Sequence, residues 1–285
     1  MRVGNLDGRA VLVVQDRAGD LAVDVAEASG DRFGPDPQAL YGDWAAFAAW
    51  AREAELPEGR TFDRARLGAP VPAPRQILAV GLNYREHAAE SGFAVPEGLP
   101  PVFTKFVTAL SGPVTEVTLP DGGHTDWEVE LVAVIGRTAS HVSEDDAWDH
   151  IAGLTVGQDI SERISQLAGP APQFSLGKSF PGFAPTGPWV VTPDELDDRD
   201  DLELRAAING EEVQKGRTRD LIFAVPTLVS RLSAVLPLLP GDLLFTGTPA
   251  GVGLGRDPQR WLAPGDELVS EIAGIGELRQ TFASA

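Results

Sequence analysis

The chain of 285 residues contains no cysteine. Disulfides, thiolate metal sites and cysteine nucleophiles are therefore excluded. Lysine is scarce: Lys105, Lys178 and Lys215 are the only ones, and arginine supplies every other strongly basic side chain. No apolar run reaches the ~18 residues of a membrane span. The opening stretch, Met1 to Asp16, carries charges within its apolar residues, unlike a secretory leader. A cytoplasmic protein with no membrane partner is the expectation. There is no G-x-S-x-G elbow, no Walker A sequence and no G-x-G-x-x-G after a strand. Net positive charge is also missing. At −19, the balance argues against nucleic acid, because phosphate chains need a basic surface. A protein this acidic that binds an anionic small molecule must build a local positive spot, from a metal ion or a few cations. The rare lysines are candidates for that task, and their location has to decide.

Hydrophobic residues make up 43% of the chain, enough for a packed core in one large domain or a large one with a small companion. Residues 1–68 read as a small N-terminal α/β unit. Ala10–Gln15 and Leu21–Ala26 suit strands around a polar turn. Asp43 is placed to cap a helix from Trp44 to about Glu55, with Trp44, Phe47, Ala48 and Ala51 on one face. Residues 69–75, with Pro70, Pro72 and Pro74 alternating, form a stiff connector. From 76 to 285 the pattern is short strands punctuated by glycine and proline. Gln76–Val80, Trp127–Ile135, Leu154–Val156, Trp189–Thr192, Leu243–Thr246 and Leu268–Ala273 suit strands. Leu202–Ile208 and Glu211–Gln214 flank Asn209-Gly210, a hairpin signal. Pro226 opens a helix with Leu228, Val229, Leu232, Val235 and Leu236 on its apolar face. Strands dominate and helices do not alternate with them, so the fold class is mainly β with α (α+β) rather than a doubly wound sheet.

Glu128-Val129-Glu130 opens an apolar strand. Residues two apart on a strand share a face, so both carboxylates project together and raise each other's pKa. A hard divalent cation removes that conflict, and oxygen ligands favour Mg²⁺, Mn²⁺ or Ca²⁺ over zinc. An exposed strand edge with two solvated acids fits the same spacing. Asp159, just beyond Leu154–Val156, offers a third carboxylate. Arg163 and Gln166 follow on one face of a helical turn, and then comes Lys178. This company suits an anionic, carbonyl-bearing ligand beside a metal.

A second constellation lies in Gly81–Gly92. Asn83 and Glu86 resemble a capping box, and Gly92 suits a helix stop. His87 and Glu90, three apart, share a face, and a carboxylate on one ring nitrogen raises the basicity of the other. A segment of about two turns is too short to be stable alone and suits a lid. A surface histidine beside a surface acid has the same spacing. His124, His141 and His150 read as structural or exposed. The amides of Gly247–Gly253 could receive a carboxylate, with the Thr248 hydroxyl beside them, although a tight turn needs the same glycines.

Six ordered segments together resemble the fumarylacetoacetate hydrolase family over about residues 74–283. They are VGLNYREHAAE (80–90), PVFTKFVTALSGP (101–113), DWEVELVAVIG (126–136), GQDISERISQ (157–166), GKSFPGFAPTGP (177–188) and FTGTPAGVG (245–253). The resemblance implies a mixed β-roll catalytic domain with a small N-terminal domain, and a homodimer. It implies a Mg²⁺ or Mn²⁺ ion on Glu128, Glu130 and Asp159, with Ca²⁺ possible in crystals. His87 and Glu90 match an acid/base pair on a mobile lid. Arg163, Gln166, Lys178 and Thr248 match positions that contact substrate or support the metal shell, and Tyr84 joins them as a candidate substrate contact. Gln158 and Glu162-Arg163-Ile164 depart from the Asn and Ala-Arg-Asp of many relatives, so substrate contacts are expected to differ. The implied reaction is hydrolysis of a C–C bond in a β-diketo acid of acylpyruvate or fumarylpyruvate type, through an enolate held by the metal and Lys178. Decarboxylation or isomerisation of a 2-oxo or 2-hydroxy-unsaturated diacid is the alternative in the same site. A non-catalytic metal- or metabolite-binding protein is the alternative of another class.

Overall fold

A computed structural model describes residues 1–16, 19–90, 98 and 100–285. Two mixed sheets dominate it. The larger runs in the order Arg60–Thr61, Gly19–Asp24, Arg9–Asp16, Arg2–Leu6, Ala184–Val191, Ile151–Gln158, Val129–Ile135, Leu243–Phe245, Ile77–Val80, Val102–Thr104. The smaller runs Glu211–Arg217, Glu203–Ile208, Glu267–Ile272, Gly276–Ser284, Val114–Leu119. Most neighbours are antiparallel. Leu243–Phe245 is parallel to Ile77–Val80, and Gly276–Ser284 is parallel to Val114–Leu119. The strand Arg2–Leu6, which hydropathy did not single out, pairs with Ala184–Val191 and joins the strands of residues 1–68 to the same sheet as the later ones.

The expected hairpin is present. Asn209 and Gly210 both have positive φ, 51° and 82°, as a two-residue turn with the twist of its flanking strands requires. The helix in the N-terminal unit covers Trp44–Glu53 and buries Trp44, Phe47 and Ala48. Asp43 stands at its start, but its side chain makes no capping hydrogen bond. Three local expectations are corrected. The second expected strand ends at Asp24, because the Asp24 carboxylate accepts from Glu27 N and starts the helix Val25–Ser29. The helix Val225–Ser233 stops before Val235, which is left 73% exposed, off the buried face formed by Leu228, Val229 and Leu232. The Asn83 side chain caps no helix: its Nδ2 donates to the carbonyls of Phe223 (2.9 Å) and Thr246 (2.7 Å), and its Oδ1 accepts from Phe223 N. Three longer-range bonds from a fully buried amide outweigh one local cap. The helix that follows covers Arg85–Glu90, and Gly92 lies outside the described residues.

Two strands position the site. Val129–Ile135 is buried at every residue, and its Val, Leu and Ile side chains pack on both faces of the sheet. Its partner Ile151–Gln158 is equally buried. A Cβ at Gly157 would lie 2.5 Å from Val132 Cγ2 and 2.7 Å from Phe245 Cε1, so only glycine permits this close approach.

Candidate active site and metal centre

Register brings the three carboxylates together. Glu130 pairs with Gly157 and Val129 with Gln158, and the ladder continues one step as Asp159 N donates to Glu128 O at 2.9 Å. Directly opposite residues share a face of a sheet, and so do residues two apart on one strand. Glu128, Glu130 and Asp159 therefore converge. One oxygen from each lies within 4.8 Å of the others, and all three residues are buried.

Two short helices supply the cations. Glu162 starts the first, Arg163–Gln166, by accepting from Ile164 N (3.0 Å) and Ser165 N (2.7 Å). Arg163 Nη1 reaches Glu128 Oε1 at 2.7 Å and donates to Gln166 Oε1 at 2.8 Å, while its Nε donates to Asp126 Oδ2 at 2.8 Å. The second helix, Phe174–Gly177, ends against the first. A Cβ on Gly177 would lie 2.5 Å from Gln166 N, so glycine lets the two backbones meet. Lys178 comes next. Its Nζ donates to Glu128 Oε2 at 2.8 Å and to Asp159 Oδ2 at 2.6 Å. Lys105 Nζ takes the other oxygen of Asp159 at 2.5 Å and also donates to the Lys178 carbonyl. Two of the three lysines are thus fully buried around one aspartate, while Lys215 lies on the surface, 3.6 Å from Glu203.

The carboxylates differ in their electrostatics. Burial alone would raise Glu128, but Lys178 and Arg163 outweigh it and hold its carboxyl well below the usual range. Glu130 is pushed well above its usual value by burial and by the charges of Asp159 and Glu128. Among the described residues its hydrogen-bond donor is one backbone amide, Gly247 N at 2.7 Å, and no cation pairs with it. A buried carboxylate without a cation, next to two others, is the environment that a divalent ion would neutralise. All the converging donors are oxygens, which suits a hard ion. The residues present fit such a metal.

His87 Nδ1 lies 2.8 Å from Glu90 Oε1, and the imidazole lines a cavity of about 160 Å³ together with Glu128, Glu130, Arg163, Gln166, Lys178 and Thr248. Tyr84, expected as a substrate contact, is buried off this wall. Among the described residues its hydroxyl has no hydrogen-bond partner, and burial, with Glu130 next, raises its pKa.

The glycine-rich loop does receive carboxylates, and they are the protein's own. Gly247 N donates to Glu130, Gly251 N to Glu90 (3.0 Å), and Gly253 N (2.6 Å) and Leu254 N (3.0 Å) to Asp126. Thr248 Oγ1 donates to Val129 O and accepts from Gln214 Nε2. Sequence reasoning did not single out Asp126, and it named Lys105 only as one of three rare lysines. Asp126 continues the alternation of Glu128 and Glu130, so the same period-two argument would have found it. For Lys105 the one signal was the rarity of lysine. Gln158, noted as a departure, accepts from Glu128 N at 2.8 Å and donates to Ser270 at 2.8 Å, so it supports the strand end from beneath.

Mixed sheets thus bring buried acids, paired cations and a histidine–glutamate couple to one cavity. The chain belongs to the fumarylacetoacetate hydrolase family: the family's model, fumarylacetoacetate (FAA) hydrolase C-terminal, matches residues 76–283. Over 217 residues it is 45% identical to a 2,4-didehydro-3-deoxy-L-rhamnonate hydrolase of Sphingomonas sp. (strain SKA58), covering 75% of each chain. Over 209 residues it is 41% identical to the human mitochondrial oxaloacetate tautomerase FAHD2A, covering 73% of this chain and 66% of that protein. Among solved structures, a Mycobacterium smegmatis protein described as a candidate HpcE protein is 57% identical and superposes with a TM-score of 0.94, covering 100% of both chains. A maleylpyruvate hydrolase of Sphingobium sp. SYK-6, solved with manganese(II) and pyruvate, is 30% identical with a TM-score of 0.77, again over 100% of both chains. No helix among the described residues is long and apolar enough to cross a membrane.

Proposed function

We propose that this protein is a divalent-metal-dependent hydrolase that cleaves a C–C bond in a β-diketo acid of acylpyruvate or fumarylpyruvate type. The observation that carries the reading is the convergence of Glu128, Glu130 and Asp159, with Lys178 bridging Glu128 and Asp159, beside a cavity that His87 also lines. Glu128, Glu130 and Asp159 would hold Mg²⁺ or Mn²⁺, and a bound ion of this kind supplies Lewis acidity toward an oxo-acid head. The maleylpyruvate hydrolase with manganese and pyruvate supports that choice of metal and head group.

With Glu90 on Nδ1, His87 keeps the lone pair of Nε2 as a base. It removes a proton from water, and the hydroxide adds to the distal carbonyl of the substrate. The C–C bond then breaks, and its electron pair becomes the enolate of the 2-oxo acid fragment. Lys178 stabilises the enolate oxygen, and the imidazolium returns the proton to carbon. A second reading, proton shuffling or decarboxylation of a 2-oxo diacid, uses the same base and ammonium and is favoured by the similarity to the oxaloacetate tautomerase. Absorbance assays across a panel of acylpyruvates and with oxaloacetate, with and without chelator, test both. If neither substrate class gives metal-dependent turnover, the site belongs to a binding protein.

The protein is further proposed to act as a homodimer. Five large apolar side chains stand exposed on neighbouring segments at the site: Phe106, Val107, Ile164, Leu167 and Leu176. The segments are tied together, since Phe106 N donates to Ser179 Oγ at 2.9 Å and Thr104 N to Ser175 Oγ at 3.2 Å. An apolar patch of this kind supports an interface.

A further inference from the structure

The strand that carries Glu130, with Glu128 just before it, is paired unequally on its two sides. Ile151–Gln158 runs beside it along its full length, from Val129 to Ile135. On the other side Leu243–Phe245 reaches only Val132–Val134, and Thr246 N adds one bond to Leu131 O at 3.1 Å. Glu128 and Glu130 turn their backbone toward the first neighbour: Glu128 O accepts from Asp159 N, and Glu130 lies opposite Gly157. Val129, between them, turns the other way, as alternation along a strand requires. It faces the side where the neighbouring strand has ended. A buried N–H and C=O left there without partners would destabilise the strand end.

Two side chains take the place of that strand. Val129 N donates to Gln214 Oε1 at 3.0 Å, and Val129 O accepts from Thr248 Oγ1 at 2.9 Å. Gln214 Nε2 in turn donates to Thr248 Oγ1 at 2.8 Å and to Pro249 O at 2.9 Å. The bonds among Val129, Gln214 and Thr248 close a ring. Val129 N can only donate and Pro249 O can only accept, so the partners fix which way the carboxamide points.

Gln214 arrives there through a break in strand alternation. In the edge strand Glu211–Arg217, Glu212 and Lys215 are exposed, while the successive residues Val213 and Gln214 are both buried. Ala206 pairs with Gln214 and Ala207 with Glu212, so Val213 is an extra residue. Such a bulge re-aims the side chain beside it. Here it turns a glutamine of the smaller sheet, 2% exposed, onto the start of a strand in the larger one.

We propose that Gln214 is a positioning residue for the metal centre, acting through Val129 and Thr248. The inference rests on the proposed metal role of Glu128, Glu130 and Asp159. These buried carboxylates, with oxygens within 4.8 Å of one another, repel. Val129 links two of them along the chain, and the clamp on both of its polar backbone groups resists their spreading. Thr248, Glu128 and Glu130 line the cavity, whereas Gln214 is not among the described residues that do. Its effect on the site therefore passes through the groups it holds.

The test is Mn²⁺ affinity, read by calorimetry and set beside stability in urea, so the result does not depend on which reaction the enzyme catalyses. Gln214→Met keeps the length of the side chain and removes its hydrogen bonds. It is expected to weaken Mn²⁺ binding at least about tenfold, the scale of loss when a group that orients metal ligands is removed. The control is Gln280→Met. Gln280 is a buried amide of the same sheet, and its Nε2 donates to Pro113 O at 3.0 Å. This variant should also lose stability, yet bind Mn²⁺ within about twofold of wild type, because it shares no partner with the carboxylates. A smaller loss of affinity in folded Gln214→Met overturns the proposal. So does an equal loss in Gln280→Met, which would mark a general loosening of the sheet. If Gln214→Met does not fold, Gln214→Asn, whose amide stops one methylene short of Val129, replaces it under the same thresholds. A wild type that binds no Mn²⁺ would sink the metal reading and this proposal together, whereas equal binding by wild type and Gln214→Met removes only the role of Gln214.

Discussion

Lys105 and Asp159 form an ion pair in which neither side chain has any exposure to solvent, with Nζ 2.5 Å from Oδ1. The same ammonium donates to the carbonyl of Lys178, so one buried charge locates both a candidate metal ligand and the backbone of the candidate enolate-binding lysine. Burial lowers the Lys105 pKa, and Asp159 opposes that shift. Lys105→Met would leave an aspartate oxygen and a carbonyl without their donor. We expect a loss of about 3–5 kcal/mol in unfolding free energy, the usual cost of removing one partner of a buried pair. Urea denaturation measures it, and a loss below about 1 kcal/mol would show that the pair is not structural.

Glu130 and His87 should separate metal binding from proton transfer. Among the described residues Glu130 has a backbone amide but no cation for a partner, so Glu130→Gln strands no buried positive charge. The variant should fold with stability equal to or above that of the metal-free wild type and should bind Mn²⁺ at least tenfold more weakly, by calorimetry. His87→Ala should lower turnover by about 10²–10⁴-fold and leave Mn²⁺ affinity nearly unchanged. A parallel fall in affinity would make His87 a ligand and remove it from the role of base.

Glu162 offers a pH test away from the metal ligands. Burial would raise its carboxyl, but hydrogen bonds from Ser165, His124 and Ile164 outweigh that and hold it below the usual glutamate range. A carboxylate with a depressed folded-state pKa contributes stability that is present above its unfolded pKa and lost as pH falls through the folded value. Glu162→Gln should therefore destabilise the protein at pH 7, and the difference from wild type should shrink as the pH drops below about 4. Thermal melts at pH 7, 5, 4 and 3 would reveal it; a difference that does not vary with pH would assign the effect to packing.

Leu176 is 71% exposed on the helix beside Lys178. If the apolar patch joins two copies, Leu176→Glu should shift the protein from dimer to monomer in light scattering. Because the side chain lies outside the core, secondary structure should be unchanged. A monomeric wild type would end the interface proposal at once.

The legibility of the site followed the range of its interactions. Glu128 and Glu130 could be read as a pair because strand alternation acts over two residues, and His87 with Glu90 because a helical turn brings them within reach. Asp159 could be proposed but not located from one sequence, because its place opposite Glu128 depends on the register between two strands. Asn83 was misread as a cap because the local pattern fits, whereas its partners, Phe223 and Thr246, lie far along the chain.

The sequence by itself determined the chemistry available: oxygen ligands without sulfur, three lysines, a histidine three residues from a glutamate, and ordered motifs of one family. Tertiary structure decided how those groups are used. Sheet register set Asp159 beside Glu128. The close approach at Gly177 brought Lys178 to both. Loop amides from residues 247–254 were committed to Glu130, Glu90 and Asp126. The reason is physical: local periodicity constrains a side chain's direction, whereas the pairing of buried charges depends on distances that exist only once remote segments have packed.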